Sequence, residues 1–250
     1  MIRLEGIWKR FGSHEVLRGL DLEVRGGETL VLLGRSGCGK SVTLRIILGL
    51  LRPDAGRVWI DGTDVTDFDE RRWVEVRKRM GMVFQASALF DSLTVRDNVA
   101  YFLEEHTDLT EEEIDRIVAE RLEFVGLAGA EHLMPAQLSG GMRKRVALAR
   151  AMAANPEILL YDEPTTGLDP ITARTINQLI RKTQEEFRVT SIVVTHELES
   201  AFAVADRVAV MDGGRILFVG TVEEVKACSD PFVQDFLMGP SWQGEGRHTR

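Results

Sequence analysis

The segment Gly34-Arg35-Ser36-Gly37-Cys38-Gly39-Lys40-Ser41 sets glycines, a lysine and a hydroxyl at G-x-x-x-x-G-K-S spacing. It follows the apolar run Leu30-Val31-Leu32-Leu33 and precedes a helical pattern over 42–51, so strand, loop and helix come in the order that phosphate binding requires. Glycines let several backbone N–H groups point into one concavity, and the helix N-terminus completes an anion cradle. Lys40 would add a point charge for β- and γ-phosphates, and Ser41 a hydroxyl for Mg²⁺. At average residue usage the bare pattern arises by chance in roughly one chain of this length in a hundred, and the flanking elements make nucleotide binding the better reading. Gly34, Ser36, Gly37, Cys38, Gly39, Lys40, Ser41 and Val42 are therefore the expected nucleotide contacts. Cys38, in the cradle beside a helix N-terminus, is expected to favour the thiolate and to react with bulky alkylating agents unless Mg-ATP protects it.

Two other strand ends carry groups suited to the same chemistry. The run Ile158-Leu159-Leu160-Tyr161 ends at Asp162-Glu163, and ionised groups at the edge of a buried sheet are costly unless cations and water satisfy them. Asp162 is expected to hold Mg²⁺, directly or through water, and Glu163 to orient the attacking water. The run Ser191-Ile192-Val193-Val194-Thr195 ends at His196, at the carboxyl edge where parallel α/β sheets place ligands, so His196 is expected to touch the γ-phosphate. Ahead of a regular helix over 143–154 stands Leu138-Ser139-Gly140-Gly141-Met142. Ser139 is a good N-cap, but each glycine in the first turn costs about 1 kcal/mol of helix propensity. Such glycines make sense where something approaches the backbone closely, and a second phosphate site at this helix start is the expectation.

The frame that must position these groups reads as α/β. Segments 2–8 and 16–24 pattern as strands, the second alternating through Leu20, Leu22 and Val24, with a turn over 9–14 that exposes Phe11. A turn at 52–56, a short strand at 57–61 and a charged surface helix at 69–79 follow; its Arg77-Lys78-Arg79 cluster reads as a solvated face. Gly81-Met82-Val83-Phe84-Gln85 reads as a buried strand. From there to about Pro156 helical signals take over, with a capping box at Thr110-Glu111-Glu112-Glu113 and an apolar stripe of Ile114, Ile117, Val118, Leu122 and Val125. This predicts a helical subdomain, about 86–156, inserted in an α/β core. A hairpin over 206–219, a capped helix from Thr221 and a helix at 230–238 complete a single domain spanning 1–238, leaving 239–250 as a flexible or partner-bound tail.

Composition narrows the class. A chain of 250 residues, 44% hydrophobic and 28% charged, suits one soluble domain with a subdomain. A net charge of -8 argues against nucleic acid, which rewards clustered Lys and Arg. Two cysteines give no disulfide framework and suit a reducing cytoplasm. With no apolar leader and no run near the roughly 20 residues that span a bilayer, any work at a membrane would need other chains to cross it.

Taken together, the phosphate loop, Gln85, LSGGM, Asp162-Glu163, Gly167-Leu168-Asp169 and His196 resemble ABC-transporter ATPases in order and approximate spacing, over residues 2–225. The resemblance implies a P-loop ABC ATPase core with an inserted helical subdomain and an N-terminal antiparallel β-subdomain. It implies that Phe11 stacks on adenine, that Gln85 links Mg²⁺ to the helical subdomain beside Glu163 and His196, and that Asp169 lies in a loop communicating across a dimer. In that head-to-tail dimer, Ser139, Gly140 and Gly141 of one copy close on ATP held by Lys40 of the other. Two departures stand out: Met142 where the family commonly has Gln, and Val42 where Thr is commoner. With the segments 89–95, 97–100, 105–107 and LSGGMRKRVALARA, they resemble the ATPase of bacterial Mla-type phospholipid transporters. The narrower resemblance implies lipid transport between bacterial membranes through integral membrane permease subunits. It also implies an MCE-domain lipid-binding partner, a small cytoplasmic regulatory subunit and a peripheral place on the cytoplasmic face of the inner membrane. Another ABC importer or exporter, or a soluble ABC ATPase such as one for iron–sulfur assembly, is the alternative. A P-loop kinase leaves LSGGM unexplained, and repair ATPases need a coiled-coil insert too long for this chain.

Overall fold

Two differently patterned sets of strands build the molecule, whose computed structural model describes residues 1–238. In chain order the strands are β1 (Ile2–Phe11), β2 (His14–Val24), β3 (Thr29–Gly34), β4 (Ala55–Ile60), β5 (Thr63–Asp64), β6 (Met80–Val83), β7 (Ile158–Asp162), β8 (Thr190–Thr195), β9 (Arg207–Asp212) and β10 (Arg215–Gly220). The helices are α1 (Lys40–Ile47), α2 (Glu70–Arg77), α3 (Val95–His106), α4 (Glu111–Phe124), α5 (Gly140–Met152), α6 (Pro170–Phe187), α7 (Leu198–Val204), α8 (Val222–Ala227) and α9 (Pro231–Met238).

The alternating strands form an antiparallel sheet in the order β2-β1-β4-β5. In β2, Leu20, Leu22 and Val24 are buried while Asp21 and Glu23 face water, as a half-covered sheet demands. By contrast β3 and β8 are buried at every position, because they lie in a sheet covered on both faces. That second sheet has the order β10-β9-β3-β8-β7-β6, parallel except for β10. Leu30 and Leu32 of β3 join the core beneath the antiparallel sheet and α1, whereas Val31 and Leu33 join the core shared with α3, α4, α5 and α6. β7, β8 and β9 divide their residues between the two cores in the same way.

Sheet order differs from chain order, and that difference assembles the site. The carboxyl ends of β3, β8, β7 and β6 are successive neighbours, which lines up the phosphate loop, His196, Asp162-Glu163 and the Gln85 segment along one edge. Between β6 and β7 the chain is helical: α3 and α4 start with capping boxes, Thr94 with Asp97 and Thr110 with Glu113. Ile114, Val118, Leu122 and Val125 are buried as their spacing predicts.

Several boundaries move. β1 continues to Phe11, leaving only Gly12-Ser13 as the turn, because cross-strand pairing of Phe11 with His14 overrides local polarity. β6 stops at Val83, so Phe84 and Gln85 leave the sheet. α5 begins at Gly140 rather than at Arg143, since the Ser139 hydroxyl caps it. The basic cluster at 77–79 is paired within the chain: Arg79 binds Glu157 and Asp61, Lys78 binds Glu75, and Arg77 binds Glu70. The expected tail at 239–250 lies outside the described residues.

Candidate active site

The loop after β3 has no room for a side chain at either end, Gly34 or Gly39. A Cβ on Gly34 would lie 2.3 Å from the Met211 carbonyl oxygen, and one on Gly39 would lie 2.7 Å from Leu17 Cδ2. Gly39 also sits at φ 113°, which side chains rarely tolerate. It precedes α1 without any side-chain cap, so the first-turn N–H groups keep their capacity for an anion. Ser36 and Gly37 are exposed at the loop crest, Val42 is half-buried, and Lys40 is buried at 5% exposure. The Lys40 ammonium folds back on its own loop, donating to the carbonyls of Gly34 and Arg35 at 2.8 and 3.1 Å. It stands 3.8 Å from Glu163 Oε1.

The two carboxylates at the end of β7 point to different partners. Asp162 accepts a 2.8 Å hydrogen bond from the Ser41 hydroxyl. Glu163 takes a left-handed backbone at φ 51° and donates its N–H to the Val194 carbonyl of β8 at 2.9 Å. Its carboxylate receives the Thr166 hydroxyl at 3.0 Å, and His196 Nδ1 lies 2.9 Å from both oxygens. A carboxylate only accepts, so Nδ1 carries the proton and Nε2 remains for another ligand. Lys40, Ser41, Asp162, Glu163 and His196 therefore form one connected group.

Other expected residues are placed differently. Phe11 is 48% exposed on the antiparallel sheet, with the Lys9 ammonium 5.7 Å from its ring centre. Gln85 is exposed and enters the hydrogen-bond network through its backbone carbonyl, which accepts from Lys144. The Asp169 carboxylate caps α6, accepting from the N–H groups of Ile171 and Thr172 at 3.0 Å and from the Thr172 hydroxyl. Those bonds hold its pKa below the usual carboxylate range. Ser139 and Gly140 are exposed and hydrogen-bond to no phosphate-loop residue among the described residues.

One expectation is corrected. Cys38 is not a favoured thiolate: it is 8% exposed in the core beneath the loop, and desolvation raises its pKa despite the opposing Lys40 charge. Gly141 also has a reason inside the chain, since a Cβ there would lie 2.4 Å from Thr172 Cγ2. Of the two, Gly140, whose added Cβ would meet nothing nearer than Leu168 Cδ2 at 3.7 Å, is left without an internal constraint.

The sequence reading missed the residues that fasten the loops together. Thr165 donates to Glu197 Oε2 at 2.7 Å, and Ser200 donates to the same oxygen at 3.1 Å, joining the loop after β7 to the loop after β8. Adjacency of Thr165 to Glu163 and of Glu197 to His196 was the available signal. For a metal ion, no cluster of three or more His, Cys, Asp or Glu exists among the described residues. The Ser41 hydroxyl and Asp162 carboxylate are hard oxygen donors, which fit Mg²⁺ when substrate phosphates and water supply its other ligands.

A phosphate cradle at a helix start, beside a carboxylate pair and a histidine on adjoining strand ends, defines a P-loop ATPase. Residues 17–166 match the ABC transporter family (ABC_tran), and the chain belongs to it as an ATP-binding, ATP-hydrolysing subunit. Among its relatives, the intermembrane phospholipid transport system ATP-binding protein MlaF of Haemophilus influenzae is 41% identical over 96% of this chain and 91% of its own. The Fe(3+) ions import ATP-binding protein FbpC of Vibrio cholerae is 43% identical over 94% of this chain and 65% of its own. The chain is also similar to the dimeric post-hydrolysis structure of the ATP-binding cassette MJ0796 bound to ADP and Pi. That likeness has a TM-score of 0.82 and 34% identity, over 89% of this chain and 99% of that one.

Proposed function

We propose that this ATPase drives phospholipid movement between bacterial membranes, working as two copies beneath separate integral membrane permease subunits. The carrying observation is the likeness to MlaF along nearly the whole of both chains; the match to FbpC spans a smaller share of that protein and makes iron import the second reading. No helix among the described residues is long and apolar enough to cross a membrane, so in this reading the chain sits peripherally on the cytoplasmic face of the inner membrane. An apolar groove of about 320 Å³, lined by Met82, Phe84, Phe90, Tyr101 and Phe102, opens beside Gln85 and suits a helix of the permease. An MCE-domain protein and a small cytoplasmic regulatory subunit complete the proposed assembly.

In the proposed mechanism the backbone of residues 34–42 cradles the phosphates while Phe11 stacks on adenine. Lys40 exchanges its loop carbonyls for the β- and γ-phosphates. Ser41 and Asp162 would hold Mg²⁺ near Gln85, where the ion would neutralise charge developing on the phosphates. Glu163 accepts a proton from the attacking water, and His196 holds that carboxylate through Nδ1 beside the γ-phosphate. Ser139, Gly140 and Gly141 of a second, head-to-tail copy close the site, with Asp169 at the contact. Closure and release of the two copies then become a rocking motion of the helical subdomains.

The test is reconstitution of the complex in liposomes with a labelled phospholipid. ATP-dependent transfer is expected with the wild-type chain and absent with Glu163→Gln. Transfer that persists in the mutant, or ATP-driven uptake of ferric ion in its place, would overturn the lipid reading.

A further inference from the structure

The segment after β6 holds a conformation that it would not adopt alone. Ser87 and Ala88, neither of them glycine, sit consecutively at φ 64° and φ 47°, in the left-handed region that side chains seldom enter. Two cations from α5 brace this stretch. Arg150 donates to the carbonyls of Ala88 and Ser87 at 2.7 and 2.9 Å, and Lys144 donates to the carbonyl of Gln85. The same Lys144 ammonium reaches the carbonyl of Glu163 at 3.3 Å, and Glu163 is itself a left-handed, non-glycine position.

Lys144 is only 6% exposed. A side chain needed merely to fill that space could be methionine, which has similar reach and no charge to desolvate. Burial lowers the Lys144 pKa, and the nearby Asp162 and Glu163 carboxylates oppose that shift. The ammonium binds carbonyls rather than carboxylates, so the Glu163 oxygens stay with Thr166 and His196. One buried charge thus joins three parts: the helix that Ser139 caps, the Gln85 segment and the strained backbone beneath Glu163.

We propose that Lys144 is a positioning residue for ATP hydrolysis, fixing the Glu163 and Gln85 backbones to α5 so that the carboxylate geometry follows the placement of that helix. Displacement of α5, and with it the helical subdomain, then changes the orientation of Glu163 without any new contact to nucleotide. The inference rests on Glu163 as the group that orients the attacking water.

Steady-state ATPase kinetics and equilibrium binding of a fluorescent ATP analogue, both on the full chain, test it. Lys144→Met is expected to lower kcat by about 10- to 100-fold, the scale of an ångström-level misplacement, with KM and analogue affinity changed by less than about twofold. Lys144→Arg, which keeps several donors on one side chain, is expected to recover most of the turnover. Wild-type kcat in Lys144→Met, a parallel loss of kcat and analogue affinity, or an Arg variant no better than Met would each overturn the proposal. Should Lys144→Met fail to accumulate, Lys144→Gln keeps a donor for one carbonyl and is expected to turn over at an intermediate rate; wild-type kcat there would equally overturn it. Glu163→Gln, run in parallel, separates the two ideas: full turnover in that mutant refutes the Glu163 reading, whereas a dead Glu163→Gln beside a fully active Lys144→Met refutes only the role of Lys144.

Discussion

Helices α1 and α5 both start beside a glycine near the site, yet they begin in opposite ways. α1 follows Gly39 in a conformation open chiefly to glycine and has no side-chain cap, whereas α5 follows Ser139, whose hydroxyl accepts from the Met142 N–H at 3.2 Å. Neither carries an acid in its first turn, while α3, α4 and α8 all do, within capping boxes. A carboxylate there would compete with a phosphate for the same dipole and N–H groups. The α1 start is therefore shaped from within, Gly34 and Gly39 enforced by neighbours in the same chain and Gly37 by its left-handed φ of 81°. The α5 start is internally complete except at Gly140, whose lack of a side chain answers to nothing inside the chain.

Mutations at the two starts can break this contrast. The largest effect is expected on the α1 side, where the chemistry is proposed to reside: Glu163→Gln should cut ATP turnover by about 10² to 10⁴ while ATP affinity persists, as loss of a general base predicts. Unchanged turnover would move the chemistry elsewhere. Gly39→Ala is expected to abolish measurable ATP binding and lower the melting temperature, because backbone strain of about 1–3 kcal/mol adds to collision with Leu17 and Met211. Gly141→Ala should destabilise by about 1–3 kcal/mol through overpacking against Thr172, a side chain pinned by Asp169; denaturant titration should show Thr172→Ser restoring part of that loss.

Gly140→Ala sharpens the contrast further. It is expected to leave stability unchanged or raise it by up to about 1 kcal/mol, since alanine is the better helix former, and yet to slow turnover if a partner copy approaches there. Full activity in a stable Gly140→Ala would refute that approach. The smallest effect concerns Cys38. Its raised pKa means less thiolate near neutral pH than a free cysteine has, so labelling should be slow in the folded protein, quicken as pH rises, and quicken again on unfolding. Peptide mass spectrometry after timed alkylation would show it, and fast labelling of folded Cys38 near neutral pH would contradict the buried geometry.

The phosphate loop, the strand ends at Asp162-Glu163 and His196, and the helix start at Ser139 were all legible in the sequence, because turn chemistry, capping and apolar periodicity act over a few residues. Assignment of the Gln85, Asp169 and Phe11 roles came only through family resemblance, and their surroundings in the isolated chain are exposed or self-satisfied. What local spacing could not decide is which loops become neighbours. Ser41 meets Asp162 across 121 positions, and Lys144 meets Gln85 across 59, contacts set by the β3-β8-β7-β6 order and by the packing of α5. Burial is collective in the same way: Cys38 is desolvated within the core shared by α1 and strands of both sheets, and Gly141 is confined by Thr172 from another helix. The sequence by itself determined the chemical groups and the turns that present them. Tertiary structure decided their protonation, their partners and which glycine was left open, because those depend on solvent exclusion and on contacts between distant segments.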